Sequence, residues 1–382
     1  MKKSVLIVGP ITDFGGREIE VKLIATSLVT RYNVSLLSTV KMTINSAALI
    51  NDKNFEWTTI DKKINKKLLV LVINLLCKYR FSRKEPAYCL TNNKINGLFL
   101  NFDKLYKKIL EKELIKHDFI LFVGEVTSKW LDDLVSLSNK HKKPIVLRTT
   151  GAIFDIPKNT NHFLKKIDKI LVHSQANYDI LVTHSSNNLK IIDQTALNEN
   201  ELLQIEINVN TSNLVYGFLG RFSSEKGILE LLNVFASMNS KLIIAGSGPL
   251  QNEVDEISSN SNILNLGEFG NDEIHVFFNQ IDVLIIPSLV EAGPLVGIEA
   301  MASGKLIIAT KVGALEDRLK NTQNQFWFKI QDINSLKDII KTIENLSQER
   351  INKIKFELRE TYLENYSVEK VKEEYVKLFE QV

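Results

Sequence analysis

IDVLIIPSLVEAGPLVGIEAMASGKLIIATKVG, residues 281–313, is the stretch from which the rest of the chain can be read. Residues 283–286 form a short unbroken apolar run, as in a strand buried on both faces. Pro287 and Ser288 end it, and 289–293 reads as a loop. Pro294 suits the first position of a helix, because the N–H it lacks is one the helix could not pair. A helix is expected over 295–303, with Gly304 as its C-terminal cap, and then a second buried strand over 306–309. Strand, loop, helix and strand together predict a parallel sheet in an α/β fold.

Glu299 is the anomaly in that helix. Apart from a glycine and one serine its neighbours are all apolar, so the helix offers no wet face for a carboxylate. A buried carboxylate needs a partner or a shifted pKa. Glu291 precedes it by eight residues, in the loop leading to the same helix N-terminus. Ligands of open α/β sheets bind at the carboxyl ends of the strands, and helix N-termini attract phosphate. A sugar diphosphate would offer Glu299 hydroxyls and the helix end an anion. The alternative is a buried glutamate paired with a structural arginine or with backbone.

Outward from that stretch, 382 residues exceed one ordinary core and predict two domains. Polar runs at 185–188 and 198–200 place the boundary near 195: a first domain over 1–195, a second over 196–360 and a returning C-terminal helix over 361–382. Hydrophobic content of 44% with 24% charged residues is that of a globular protein. Cys77 and Cys89, without CxxC spacing, indicate neither a disulfide framework nor a zinc site. The N-terminal apolar run is too short for a signal peptide, and no stretch approaches the roughly 20 apolar residues of a membrane span, so a cytoplasmic protein is expected. The net charge of +3 is divided unevenly. Residues 1–195 carry 31 Lys+Arg against 18 Asp+Glu (+13), and 196–382 carry 17 against 27 (−10). The basic half is expected to meet something anionic.

In the first half, strands are expected over 5–8, 34–38, 119–123, 145–147 and 169–172, with helices over 17–31 and 128–140. Gly15 and Gly16 at the first strand-to-helix turn let backbone amides approach a ligand, or simply make a tight turn. Arg148 to Gly151 is placed at the ligand edge of the sheet. Residues 61–84 hold eight basic residues and one acid, Asp61, around the apolar run 68–76. That pattern suits the interface of an anionic membrane, the alternative being a core helix with snorkelling lysines. In the second half, strands are expected over 215–219, 242–245 and 263–266, and amphipathic helices over 332–346 and 350–381. Gly246-Ser-Gly-Pro249 is half of a dinucleotide fingerprint, but Gln251 stands where the third glycine belongs, so a nicotinamide site is discounted. Arg221 and Lys226 follow the first strand of this half, and two cations with a helix N-terminus suit a diphosphate leaving group.

These motifs resemble the retaining glycosyltransferases of family 4. The matches are Gly-Arg-x4-Lys-Gly at 220–227, Ala-Gly-Ser-Gly-Pro-Leu at 245–250, Leu-Gly at 266–267, Pro-Ser-x2-Glu-x7-Glu-Ala-Met-Ala-x-Gly at 287–304 and Ala-Thr-x-Val-Gly at 309–313. The resemblance is specific across about 212–320 and looser in the first half. It implies the GT-B fold: two Rossmann-like parallel-sheet domains facing across a cleft, with the C-terminal helix packing back on the first. It implies that Arg221 and Lys226 hold the diphosphate of a nucleotide-sugar, Glu299 the ribose hydroxyls and Glu291 the donor sugar, with backbone at Gly267, Glu268 and Phe269 facing the base. Gly15, Gly16, Gly220, Gly293, Pro294 and Leu295 complete the expected donor site. It also implies retention of configuration with no protein nucleophile, the leaving phosphate taking the acceptor's proton, and no metal cofactor. The chain contains no Asp-x-Asp. Two departures stand out. Thr150 occupies the position where many members carry a histidine that contacts the donor sugar, and Glu291-Ala-Gly-Pro294 replaces Glu-Gly-Phe-Gly.

The combined expectation is a cytoplasmic enzyme, peripheral on the inner face of the plasma membrane. It would move sugar from a donor such as a UDP-sugar to a glycan or lipid-linked acceptor of a bacterial surface polysaccharide. No nucleic-acid partner is expected. Two rivals stay open: a nucleotide-sugar epimerase of the same fold, and a catalytically silent nucleotide-binding subunit, for which Thr150 is the motive.

Overall fold

Short apolar runs become strands of two all-parallel sheets in the computed structural model, which describes residues 2–185, 188–207, 213–259, 261–270 and 272–381. Ser186 and Asn187, in the polar run placed before the domain boundary, lie outside the described residues. The first sheet contains β1 (Ser4–Gly9), β2 (Asn33–Ser38), β3 (Phe55–Thr59), β4 (Phe119–Gly124), β5 (Ile145–Thr149), β6 (Lys169–Val172) and β7 (Leu189–Ile191), in the order β3-β2-β1-β4-β5-β6-β7. The second contains β8 (Val215–Leu219), β9 (Lys241–Ala245), β10 (Ile263–Asn265), β11 (Val283–Ile286), β12 (Leu306–Ala309) and β13 (Phe326–Trp327), in the order β10-β9-β8-β11-β12-β13. Every residue of β4, β11 and β12 is buried, as expected where helices cover both faces of a sheet. Strand order reverses beside β1 in the first sheet and beside β8 in the second. Such reversals create the crevices where ligands of open α/β sheets bind.

The chain forms two compact units, residues 1–172, 178–192 and 372–382 in one, and 173–177 with 193–371 in the other. The C-terminal segment completes the core of the first unit. Tyr375, fully buried, donates to Glu20 Oε1 at 2.6 Å, and Phe379 lies edge-on to Phe119 with ring centres 5.9 Å apart. The helix expected over 350–381 is two helices, Gln348–Asn365 and Val368–Gln381. Glu199 fixes the break by accepting from Tyr362 Oη at 2.8 Å and from Val368 N at 2.9 Å.

Arg148 is not at a ligand edge. Its side chain is fully buried in the first unit, paired with Glu20 at 3.0 Å and donating to the carbonyls of Val172 (3.1 Å) and Ile192 (2.6 Å). Pro294 is the N-cap of helix Leu295–Ala302, one position before the first helical residue. Its ψ of 118° is extended, and its carbonyl accepts from Arg318 Nη1 at 2.7 Å. Gly304 ends the helix with φ +64°, the left-handed conformation of a C-terminal cap. Among the described residues, no helix is long and apolar enough to cross a membrane.

Candidate active site

The candidate site of the second unit is built on the loops that leave β8 and β11. The loop after β8 carries Gly220, Arg221 and Lys226. It is held to the β11 loop by Leu289 N donating to Glu225 O at 2.8 Å. Gly227 (φ +67°) sits so close that a Cβ there would lie 2.2 Å from Pro287 O. Only glycine allows that approach. Lys226 is ion-paired with Glu291, whose Oε1 also accepts from Ser288 Oγ at 3.0 Å. The two residues expected to hold opposite ends of a sugar diphosphate thus hold each other in this structure. Arg221 is exposed, and among the described residues it has no ion-pair partner.

The Gly246–Gly248 turn after β9 supports the same loop. Phe222 N donates to Ser247 O at 2.8 Å and Leu250 N to Phe222 O at 3.0 Å. Cβ atoms at Gly246 and Gly248 would fall 1.9 Å from Gly220 O and 2.3 Å from Phe222 O. These glycines therefore pack backbone against backbone, which accounts for a partial fingerprint without a dinucleotide. Gly267, after β10, has φ +74° and open space where its side chain would be. Its carbonyl accepts from Gly246 N at 2.8 Å. Glu268 is exposed and Phe269 half-buried, packed against the core of the second unit.

The loop from Glu291 to Leu295 is clamped from behind. Thr310 Oγ1 donates to Ser288 O at 2.5 Å and Ala314 N to Ala292 O at 2.9 Å. Gly313 (φ +54°) fits so closely that a Cβ would lie 2.4 Å from Ala292 O. Arg318, fully buried, forks onto Asp193 at 2.9 and 2.6 Å while donating to Pro294 O. A Cβ at Gly293 would meet its Nη2 at 2.9 Å. Arg318 and Asp193 were not legible as site residues. They lie 125 positions apart, and neither belongs to a local motif.

Glu299 lies one turn into helix Leu295–Ala302, its side chain tilted toward the helix N-terminus as helical side chains are. It is 9% exposed, and among the described residues its carboxylate has no hydrogen-bond or ion-pair partner. Burial alone pushes its pKa from 4.5 to about 7. The helix N-terminus has no side-chain cap.

In the first unit, Gly15 (φ +143°) and Gly16 open helix Gly16–Leu28 after β1. A Cβ at Gly15 would come within 2.7 Å of Glu18 Oε2. Glu18 Oε1 accepts from Thr12 N at 2.7 Å and Thr12 Oγ1 at 2.8 Å, which closes the turn. Arg17 reaches Pro10 O at 2.9 Å and Thr150 Oγ1 at 3.2 Å. A cavity of about 380 Å³ opens beside it, lined among others by Arg17, Tyr106, Glu125, Lys129 and Trp130. It lies beside the strand-order reversal of the first sheet.

Residues 200–358 match the family described as Glycosyl transferases group 1. Two uncharacterized glycosyltransferases of Methanocaldococcus jannaschii are similar. One is 30% identical over 118 residues, 29% of this chain and 30% of that protein. The other is 25% identical over 329 residues, 80% of this chain and 88% of the relative. The lipopolysaccharide 1,2-N-acetylglucosaminetransferase of Salmonella typhimurium is 25% identical over 267 residues, 61% of this chain and 70% of that enzyme. Among solved structures, HepE of Anabaena in complex with UDP has a TM-score of 0.72 at 16% identity, covering 99% of this chain and all of that one. At such identity the likeness speaks for the fold, which is GT-B.

Proposed function

We propose that the chain is a metal-independent, retaining glycosyltransferase. It moves a sugar from a nucleotide-sugar donor to a glycan acceptor carried on a lipid, in the synthesis of a bacterial surface polysaccharide. The observation that carries this reading is Glu299, a carboxylate with no partner among the described residues, in a helix inside the segment that matches the group 1 family. A ribose presents two adjacent hydroxyls, and a carboxylate can accept from both. The exposed Arg221 and the Lys226 ammonium supply charge for a diphosphate leaving group, an interaction that strengthens as the glycosidic bond breaks. Glu291, released from Lys226 when the phosphates arrive, is then free to accept from the donor sugar. The open side of Gly267 suits a flat base. The UDP named for HepE and the surface glycan named for the Salmonella enzyme support the donor and acceptor classes. The relatives' names favour transfer over epimerisation.

A thermal-shift series with nucleotides and nucleotide-sugars tests the donor. At least one uridine diphosphate ligand should raise the melting temperature, since binding to the folded state stabilises it. Glu299→Gln should remove that rise. In a transfer assay with lipid-linked glycans, Arg221→Ala should lower kcat by about 100-fold or more. Unchanged rates in both Arg221→Ala and Glu291→Ala would sink the proposal.

A further inference from the structure

Helix Leu68–Arg80 is built inside out. Asn74 is fully buried, while Leu68 (77% exposed), Leu76 (63%) and Tyr79 (89%) point to solvent. Leu69, Val72 and Leu75 are exposed with them, so the outward face has the three- and four-residue spacing that normally marks the inward one. Short helix Lys94–Phe99 repeats the inversion. Asn96 is buried, and Ile95, Leu98 and Phe99 are exposed.

A polar cluster holds both helices in this orientation. Asn74 Nδ2 donates to Asn65 Oδ1 at 2.8 Å and to Thr91 Oγ1 at 3.0 Å. Its Oδ1 accepts from Asn96 Nδ2 at 2.9 Å and Asn93 Nδ2 at 3.2 Å. All four hydrogen-bonding positions of the Asn74 amide are filled, so turning the helix over would strand buried amides. The outward leucines are thus a property of the fold. A contiguous apolar face of this kind on a water-soluble surface marks a contact with another apolar phase.

Its rim identifies that phase. Residues 62–84 contain eight Lys or Arg and no acid. Lys66, Lys67, Arg80, Arg83 and Lys84 are exposed, and among the described residues none has an ion-pair partner. A second copy of this chain would bring two cationic rims together. An anionic bilayer instead meets the cations with phosphate and the leucines with acyl chains. From this geometry we infer that the paired helices Leu68–Arg80 and Lys94–Phe99 seat the protein in the interface of an anionic membrane. The apolar face enters the headgroup boundary and the basic rim rests on phosphates. This inference stands apart from the transferase reading and would survive its failure.

Flotation of the full chain tests it, using vesicles of equal parts phosphatidylglycerol and phosphatidylcholine against pure phosphatidylcholine. Binding should occur on the anionic vesicles at 50 mM salt and fall at least tenfold at 500 mM or on neutral vesicles, since screening weakens the cationic contribution. Leu75→Ser/Leu76→Ser/Leu98→Ser changes only exposed side chains and should lower the bound fraction at least tenfold with an unchanged melting temperature. Lys66→Glu/Lys67→Glu should do the same. Lys165→Glu/Lys166→Glu, exposed cations outside this helix pair, should have at most a small effect. In Leu76→Trp, indole emission should move to shorter wavelength on adding anionic vesicles. Absence of binding at low salt, binding indifferent to the leucine variant, or a dimer that the leucine variant makes monomeric would each overturn the inference.

Discussion

Two helices of this chain are almost wholly apolar, and each buries one polar residue. In Leu68–Arg80 that residue is Asn74, held by four partners, and the leucines face outward. In Leu295–Ala302 it is Glu299, with no partner among the described residues, and the apolar side chains around it are core. Hydropathy alone makes the helices look alike. Hydrogen-bond accounting separates them. An amide with all four positions filled fixes orientation, whereas a largely desolvated acid without a partner among the described residues is a standing destabilisation that something else must offset.

The sharpest attempt to break this contrast is Asn74→Leu. It adds apolar volume but orphans the amides and hydroxyl around it, and it should destabilise the protein by at least about 3 kcal/mol in urea titration. A neutral or stabilising result would mean that the cluster does not set the helix orientation. Glu299→Gln should do the opposite. The folded pKa of Glu299, about 7, lies above its ordinary 4.5. Below pH 4.5 the acid is protonated in both states and carries no penalty. Between 4.5 and 7 the unfolded chain ionises first, and above 7 the penalty is complete. The gain from Glu299→Gln should therefore approach roughly 3 kcal/mol at pH 8 and vanish below pH 4.5, as followed by melting curves across that range. Ligand binding probes the same group. Hydroxyls favour the carboxylate form, so nucleotide affinity should fall about tenfold for each pH unit below about 7, with proton release seen by calorimetry in different buffers. A flat profile would separate Glu299 from the nucleotide. The smallest effect belongs to the outward face. Leu76→Ser should alter stability by no more than about 0.5 kcal/mol, because that side chain is already in water.

What the sequence made legible follows the strength of each local signal. The strands at 169–172, 215–219, 283–286 and 306–309 match the structure residue for residue, because unbroken apolar runs between turn residues leave little choice. β3, β7 and β13 were missed. Each lies at the edge of its sheet, where Phe-Glu-Trp-Thr-Thr or the two residues Phe326–Trp327 carry no buried run. The anomaly at Glu299 could be read because polarity conflicts with context inside one helix. Arg318 could not be read, since its partners at Asp193 and Pro294 are set by tertiary structure. Arg148 misled for the same reason. A charged residue beside a strand end reads as ligand-facing until Glu20 and the carbonyls that hold it are seen. The basic stretch 61–84 was visible as composition, but not the burial of Asn74 that turns its leucines outward.

The return of residues 372–381 to the first unit has a consequence for biosynthesis. Tyr375 and Phe379 complete a core whose preceding segment ended at Ile192, roughly 180 residues upstream. During translation the first unit must therefore wait, with Glu20, Arg148 and the Phe119 surface uncovered, until residues 372–381 leave the ribosome. A released chain truncated after residue 371 should accordingly be cut by protease in the first unit while the second stays intact.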